Sequence, residues 1–133
     1  MKTQLYHIQL NVSDAAKSLP FYRKLFHFLE YKIIDESESH IGVSNGTTDF
    51  WIMETEDQFR KNGFHRKNTG LNHIALRVDS KEAVDSFYSN FLQKEGIVTL
   101  YSSPKLFPEY TEGYYALYFE DPDRIKVEIV YLP

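Results

Sequence analysis

Among its 133 residues the chain has no cysteine. That excludes disulfide staples, thiolate metal ligands and a cysteine nucleophile. No apolar run approaches the length needed to cross a bilayer, and the opening MKTQLYHIQL meets polar residues too early for a secretory signal. A cytoplasmic protein with no membrane partner is therefore expected. Positive charge is in deficit, 15 Lys and Arg against 19 Asp and Glu, for a formal net charge of −4. No basic stripe breaks that balance, so nucleic acid is not expected as a partner. Apolar and aromatic material is ample, at 42% and 16% of residues. It suits one packed domain, or two very small modules sharing a core.

Hydrophobic periodicity divides the chain. Residues 4–12 alternate, with Ile8, Leu10 and Val12 on one face and His7, Gln9 and Asn11 on the other, as in a half-buried strand. Ser13 or Asp14 can cap a following helix, whose stripe is Ala15, Leu19, Tyr22, Phe26 and Leu29. Pro20 interrupts that stripe and is expected to kink the helix or delay its regular part. Short strands are expected at 31–36, 40–44 and 48–54, the last two joined by a turn at Asn45-Gly46. Residues 55–69 lose the periodicity and are read as a linker, between module one (1–54) and module two (70–133).

After the linker the pattern restarts. Ile74, Leu76 and Val78 alternate with His73, Ala75 and Arg77. Asp79 or Ser80 then caps a helix with the stripe Val84, Phe87, Tyr88 and Phe91. Further strands are expected near 97–102, 114–120 and 125–131, with a long loop from Ser103 to Gly113. A constant shift carries His7 onto His73, Ile8 onto Ile74, Leu10 onto Leu76, Val12 onto Val78, Phe21 onto Phe87 and Tyr22 onto Tyr88. This is the mark of an internal duplication. The expected fold is α+β: two βαβββ modules in tandem, with curved sheets around a cleft and helices on the outer face.

The last expected strand raises a chemical question. Val127, Ile129 and Tyr131 share one face, and Lys126, Glu128 and Val130 the other, so an acid sits among apolar residues. The His-bearing first strand, the Phe-Tyr helix, the repeat and the closing FEDPDRIKVEI resemble the vicinal oxygen chelate superfamily of glyoxalase I, fosfomycin- and bleomycin-resistance proteins and extradiol dioxygenases. The resemblance spans essentially the whole chain. It implies one divalent metal ion (Fe, Mn, Zn or Ni), held by His7, His73 and Glu128, with Glu128 the residue on which catalysis is expected to rest. All three also lie on the face opposite the apolar one in their strands. Two imidazoles and a carboxylate suit such an ion and leave positions open for a small-molecule substrate. A homodimer is the expected assembly.

Departures narrow the choice. Glyoxalase I has a further Glu ligand on the last strand of its first module. Here, if Phe50 and Ile52 face the core, Trp51 takes that place and cannot coordinate; a slipped register would instead redirect Glu54. Trp51 is read as a substrate-stacking wall, with core filling as the alternative, and Tyr118 as a second cleft-lining candidate that could equally be a packed sheet aromatic. Arg124 stands where the family usually has Gly, so the turn at 121–124 is expected to differ. For a phosphonate only Lys126 and Arg77 are on the right face. For a dioxygenase acid–base role only His40 is to hand. His27 and His65 are read as surface residues, Asp121 and Asp123 as turn formers. The expected function is a metal-dependent enzyme (lyase, isomerase, dioxygenase or antibiotic-modifying transferase) acting on a small oxygen-bearing substrate. The alternative is a metal-free protein that sequesters a small molecule between aromatics.

Overall fold

In the computed structural model, which describes residues 1–133, the chain divides into two units, Met1–Gly63 and Phe64–Pro133. Unit 1 holds β1 (His7–Val12), α1 (Ala15–Phe28), β2 (Lys32–Glu36), β3 (His40–Ser44) and β4 (Asp49–Glu54), then a single turn, α2 (Asp57–Arg60). That turn is the one piece of regular structure in the stretch expected to be wholly a linker. Unit 2 holds β5 (His73–Arg77), α3 (Lys81–Phe87) running into a π-helical turn (Tyr88–Leu92), β6 (Leu100–Leu106), β7 (Tyr115–Glu120) and β8 (Lys126–Tyr131). Each unit carries a four-stranded sheet, ordered β1-β4-β3-β2 and β5-β8-β7-β6. In both, the first strand runs parallel to the last and the other pairs are antiparallel. The duplication seen in the sequence is thus a duplication of topology, in tandem βαβββ modules of an α+β fold.

Unit 1 is held by alternation. Leu10 and Val12 of β1, Ile41 and Val43 of β3, and Phe50 and Ile52 of β4 are buried. Phe26 of α1 lies against Phe50, ring centroids 5.0 Å apart. Residues of opposite parity, His7, Gln9 and Asn11, are exposed. The helix runs unbroken through Pro20. Pro20 and Ala16, whose carbonyl loses its usual partner, are both exposed, so water can take the orphan acceptor and no kink is forced. Asp14 is the N-cap residue, but its side chain makes no capping bond. The Ala15 amide donates instead to Glu54 Oε1, at 3.3 Å. Glu54 therefore sits at the positive end of α1, with Arg60 3.5 Å away.

In unit 2, Ser80 caps α3 by accepting from the Ala83 amide at 3.0 Å. The π turn inserts an extra residue per turn, so that Phe91 and Leu92 are both buried and Tyr88 is displaced to a half-buried position. β6 lies later than expected. It begins at Leu100 and runs through Pro104, which the sheet tolerates because β6 is an edge strand. Tyr101 and Ser102 adopt positive φ, 59° and 54°, and β6 slips register against β7 between Leu100 and Lys105. The turn into β8 also differs from expectation. Arg124 accepts the left-handed conformation itself, φ 66°. Asp121 Oδ1 makes this tolerable by taking the amides of Asp123 at 2.9 Å and Ile125 at 2.7 Å. No helix is long and apolar enough to cross a membrane.

Candidate active site

Register decides what each strand presents. In unit 2, His73 is paired with Lys126, Ala75 with Glu128, and Glu128 in turn with Tyr118. His73, Lys126, Glu128 and Tyr118 consequently share the sheet face away from the buried Ile74, Val127 and Ile129. One end of that face is apolar, where Phe107, Ala116, Tyr118 and Val130 form a buried cluster. Beside it opens a cavity of about 270 Å³ lined by His73, Tyr101, Tyr110, Tyr114, Lys126 and Glu128, with Tyr118 at its base.

Glu128 is only 1% exposed. The Tyr114 hydroxyl donates to its Oε1 at 2.6 Å, and Tyr118 is its partner across the ladder. Burial, aided by the bond to Glu128 and its charge, pushes the Tyr114 hydroxyl up to about 12. The same causes, burial first, raise Tyr118 further. Both phenols thus stay neutral and donating, which leaves Glu128 the acceptor.

Oε2 of Glu128 faces His73 Nε2 at 3.2 Å. Which nitrogen of His73 carries hydrogen follows from its other neighbour. Asn72 donates from Nδ2 to the Arg66 carbonyl, 3.1 Å, so its Oδ1 is turned to His73 Nδ1, 2.8 Å. An amide oxygen there requires hydrogen on Nδ1. In the neutral ring Nε2 then bears a lone pair, directed at a carboxylate oxygen. Two acceptors in contact need a positive species between them, a proton or a metal ion. Donors about 2.1 Å from one divalent ion lie about 3.0–3.4 Å apart, so the separation fits adjacent ligands. Asn72→Ala removes the group that holds the ring in this tautomer. It should free the ring to take the other tautomer without unfolding the protein, as the ring ¹⁵N shifts of His73 beside a thermal melt will read.

Module one is built differently at the equivalent place. His7 starts β1 as His73 starts β5, and Gln9 is paired with Trp51 as Ala75 is with Glu128. Trp51 therefore occupies the counterpart of Glu128, since Phe50 and Ile52 face the core. Its partner is Gly42, where an added Cβ would stand 2.7 Å from Trp51 Cζ3. The indole lies flat on the glycine. His7 is exposed, its ring edge-on to Tyr6 at 5.3 Å. Of the sequence candidates, the fold brings His73, Glu128 and Tyr118 together in unit 2, whereas His7 and Trp51 belong to unit 1. No group of three or more His, Cys, Asp or Glu side chains converges anywhere. His40 has both nitrogens engaged, with Asp35 at 3.0 Å and Ser37 at 2.7 Å, in the β2–β3 turn. Arg77 donates to the Leu132 carbonyl at 2.9 Å. His27 and His65 are exposed. A larger depression in unit 1, about 560 Å³, is lined by Phe26, Tyr31, Ile33 and Val43 together with the basic Arg23, Lys24, His27 and Lys32, and carries no carboxylate.

The geometry can be set beside known proteins. Residues 4–129 match the profile of the Glyoxalase/Bleomycin resistance protein/Dioxygenase superfamily. The chain belongs to this superfamily. The uncharacterized protein YqjT of Bacillus subtilis (strain 168) is 35% identical over 126 residues, 95% of this chain and 97% of that one. A candidate glyoxalase from Bacillus halodurans is 36% identical, with a TM-score of 0.86 over 96% of this chain and 95% of its own. Lactoylglutathione lyase from Agrobacterium tumefaciens, 16% identical with a TM-score of 0.69 over 98% of this chain and 94% of its own, shares the fold. Four residues of the cavity escaped the sequence reading as site residues. Tyr101 is brought in by the left-handed corner of β6, Tyr110 by the loop stacking it on Phe107, and Tyr114 by its bond to Glu128. For Lys126 the alternation of β8 shows the facing and nothing more.

Proposed function

We propose that this superfamily member is a divalent-metal-dependent enzyme acting on a small oxygen-bearing substrate. His73 and Glu128 serve as its ligands, and His7 is the further ligand that the sequence resemblance adds. The observation that carries this reading is the buried Glu128 oxygen facing the lone-pair side of His73 at 3.2 Å. When bound, the ion supplies Lewis-acid polarisation of a substrate oxygen. The chain does the rest. Asn72 fixes the imidazole, Tyr114 fixes the carboxylate, and the tyrosines around the cavity limit the water that reaches it. Glu128 is the residue in contact with the reaction centre. Trp51, on the open face of its sheet, is proposed as a substrate wall.

Metal content of the untagged protein, after exposure to iron, manganese, zinc and nickel, tests this. One equivalent in the wild type, reduced in both His7→Ala and His73→Ala, is the expected result. Substoichiometric metal in the wild type defeats the enzyme reading, and full occupancy in His7→Ala removes His7 from the set. A metal-free binding protein is the second reading, favoured by the four tyrosines around the cavity. It requires a ligand that stabilises the protein equally with and without chelator. The proposed assembly is a homodimer, which light scattering will test.

A further inference from the structure

Two charged groups line the cavity, Glu128 and Lys126, and the lysine is the one that the site described above leaves unused. Lys126 is only 9% exposed. Its Nζ lies over the rings of Tyr101 and Tyr118, 5.5 and 5.4 Å from their centroids, and it makes no ion pair. Glu128 stands two residues along the same strand face, but its oxygens are turned to Tyr114 and His73. Glu120, paired with Lys126 across the ladder, is held by Arg66 and lies 3.6 Å from Arg124 Nε. Both carboxylates that could neutralise the ammonium are therefore committed elsewhere. Two tyrosine faces soften the burial of a cation but do not replace a counter-charge. No buried side-chain nitrogen or oxygen lacks a partner, so Nζ is not sealed in, and the space it borders is the cavity itself.

We propose that Lys126 is the anchor for the charged end of the substrate, and that the cavity accepts a small organic carboxylate whose uncharged part lies among the tyrosines. This rests on the proposed function for its chemistry but not for its charge logic. With a divalent ion held by Glu128, the cavity carries a net positive charge; without one, the charges of Lys126 and Glu128 offset in sum, and Lys126 attracts an anion only locally, because the Glu128 oxygens are turned to Tyr114 and His73. Size points the same way. A volume of 270 Å³ is the space of about nine waters, enough for a ligand of about ten non-hydrogen atoms. Flat aromatic walls favour a planar one.

Benzoate, its neutral isostere benzamide and the cation benzamidine are suitable probes, followed by NMR shift perturbation in metal-loaded and chelator-treated protein. Benzoate should bind in preference to the other two, shifting resonances of His73, Tyr118 and Lys126, and Lys126→Met should weaken it at least tenfold. Lys126→Gln should behave alike, and melting curves of both should match or exceed wild type, because a buried unpaired charge is removed. Equal binding of benzoate and benzamide, an unaltered affinity in both variants, or no binding by any probe overturns the proposal. Metal uptake is measured on the same samples. If the protein takes no metal but benzoate preference persists and depends on Lys126, the anion site stands and the enzyme reading falls. The reverse pattern does the opposite.

Discussion

Glu128→Gln is expected to melt close to the temperature of metal-free wild type and to gain nothing when metal is added. The amide has the shape of the acid. Its oxygen can still accept from Tyr114, and its N–H₂ can donate to the lone pair of His73 Nε2. The variant therefore satisfies internally what the native acid satisfies only with a cation between the two groups, and stability should stay within about 1 kcal/mol. Metal affinity should fall by more than about 100-fold, beyond the loss seen when an outer partner is removed. In wild type, metal at 100 times its dissociation constant should add about 2.7 kcal/mol of stability. Paired melts with and without manganese or zinc will read both effects. An undiminished metal-induced shift in the glutamine variant would strike Glu128 from the ligand set.

The second large effect is alkaline. Tyr114 and Tyr115 are pushed up to about 12, in each case chiefly by burial, then by hydrogen bonds to Glu128 and Asp85 respectively, and Tyr118 is raised further. An unfolded tyrosine ionises near pH 10. Because the folded state holds these protons more tightly, the stability they contribute is complete below about pH 10. It is lost as pH climbs through about 12, where the unfolded chain has shed protons that the fold still keeps. Melting temperature should drop steeply over that window. Tyr114→Phe and Tyr118→Phe together should flatten the drop, leaving Tyr115 and Tyr31, whose hydroxyl burial also raises, to account for the remainder. Tyrosinate absorbance should show a subset of the ten tyrosines ionising late. If the gap between wild type and the double variant stays constant from pH 9 to 12, the assigned linkage is wrong.

Some features could be read directly from residues because they depend on local period alone. The shift carrying His7 onto His73 needed only alternation and helical spacing, and it led to two sheets of one topology. Parity put Trp51 on the open face only if Phe50 and Ile52 turned inward, with Glu54 as the alternative, and both Phe50 and Ile52 are buried. Other features escaped because no local pattern encodes them. Ser102-Ser103-Pro104 looks like a strand breaker, yet it lies on an edge where a missing amide costs nothing, so β6 continues to Leu106. Arg124 was expected to change its turn. The Asp121 carboxylate instead offsets a conformation that costs a side chain about 1 kcal/mol. Asn72 precedes β5 as an ordinary polar residue, and its hold on His73 depends on a carbonyl six residues upstream. For Lys126, parity gave the face but could not reveal that both neighbouring acids were already taken.

The indole of Trp51 resting on Gly42 bears on how such a chain can evolve. A carboxylate at position 51 would restore to module one the acid that module two keeps, but it would uncover the hollow above Gly42. A side chain at position 42 would fill that hollow, yet on its own it would collide with the indole, its Cβ only 2.7 Å from the ring. Either change alone costs stability, and because the two side chains share one space their effects are coupled. The asymmetry between the two halves of this duplicated chain is thereby locked in by packing, independently of whatever selection first favoured it.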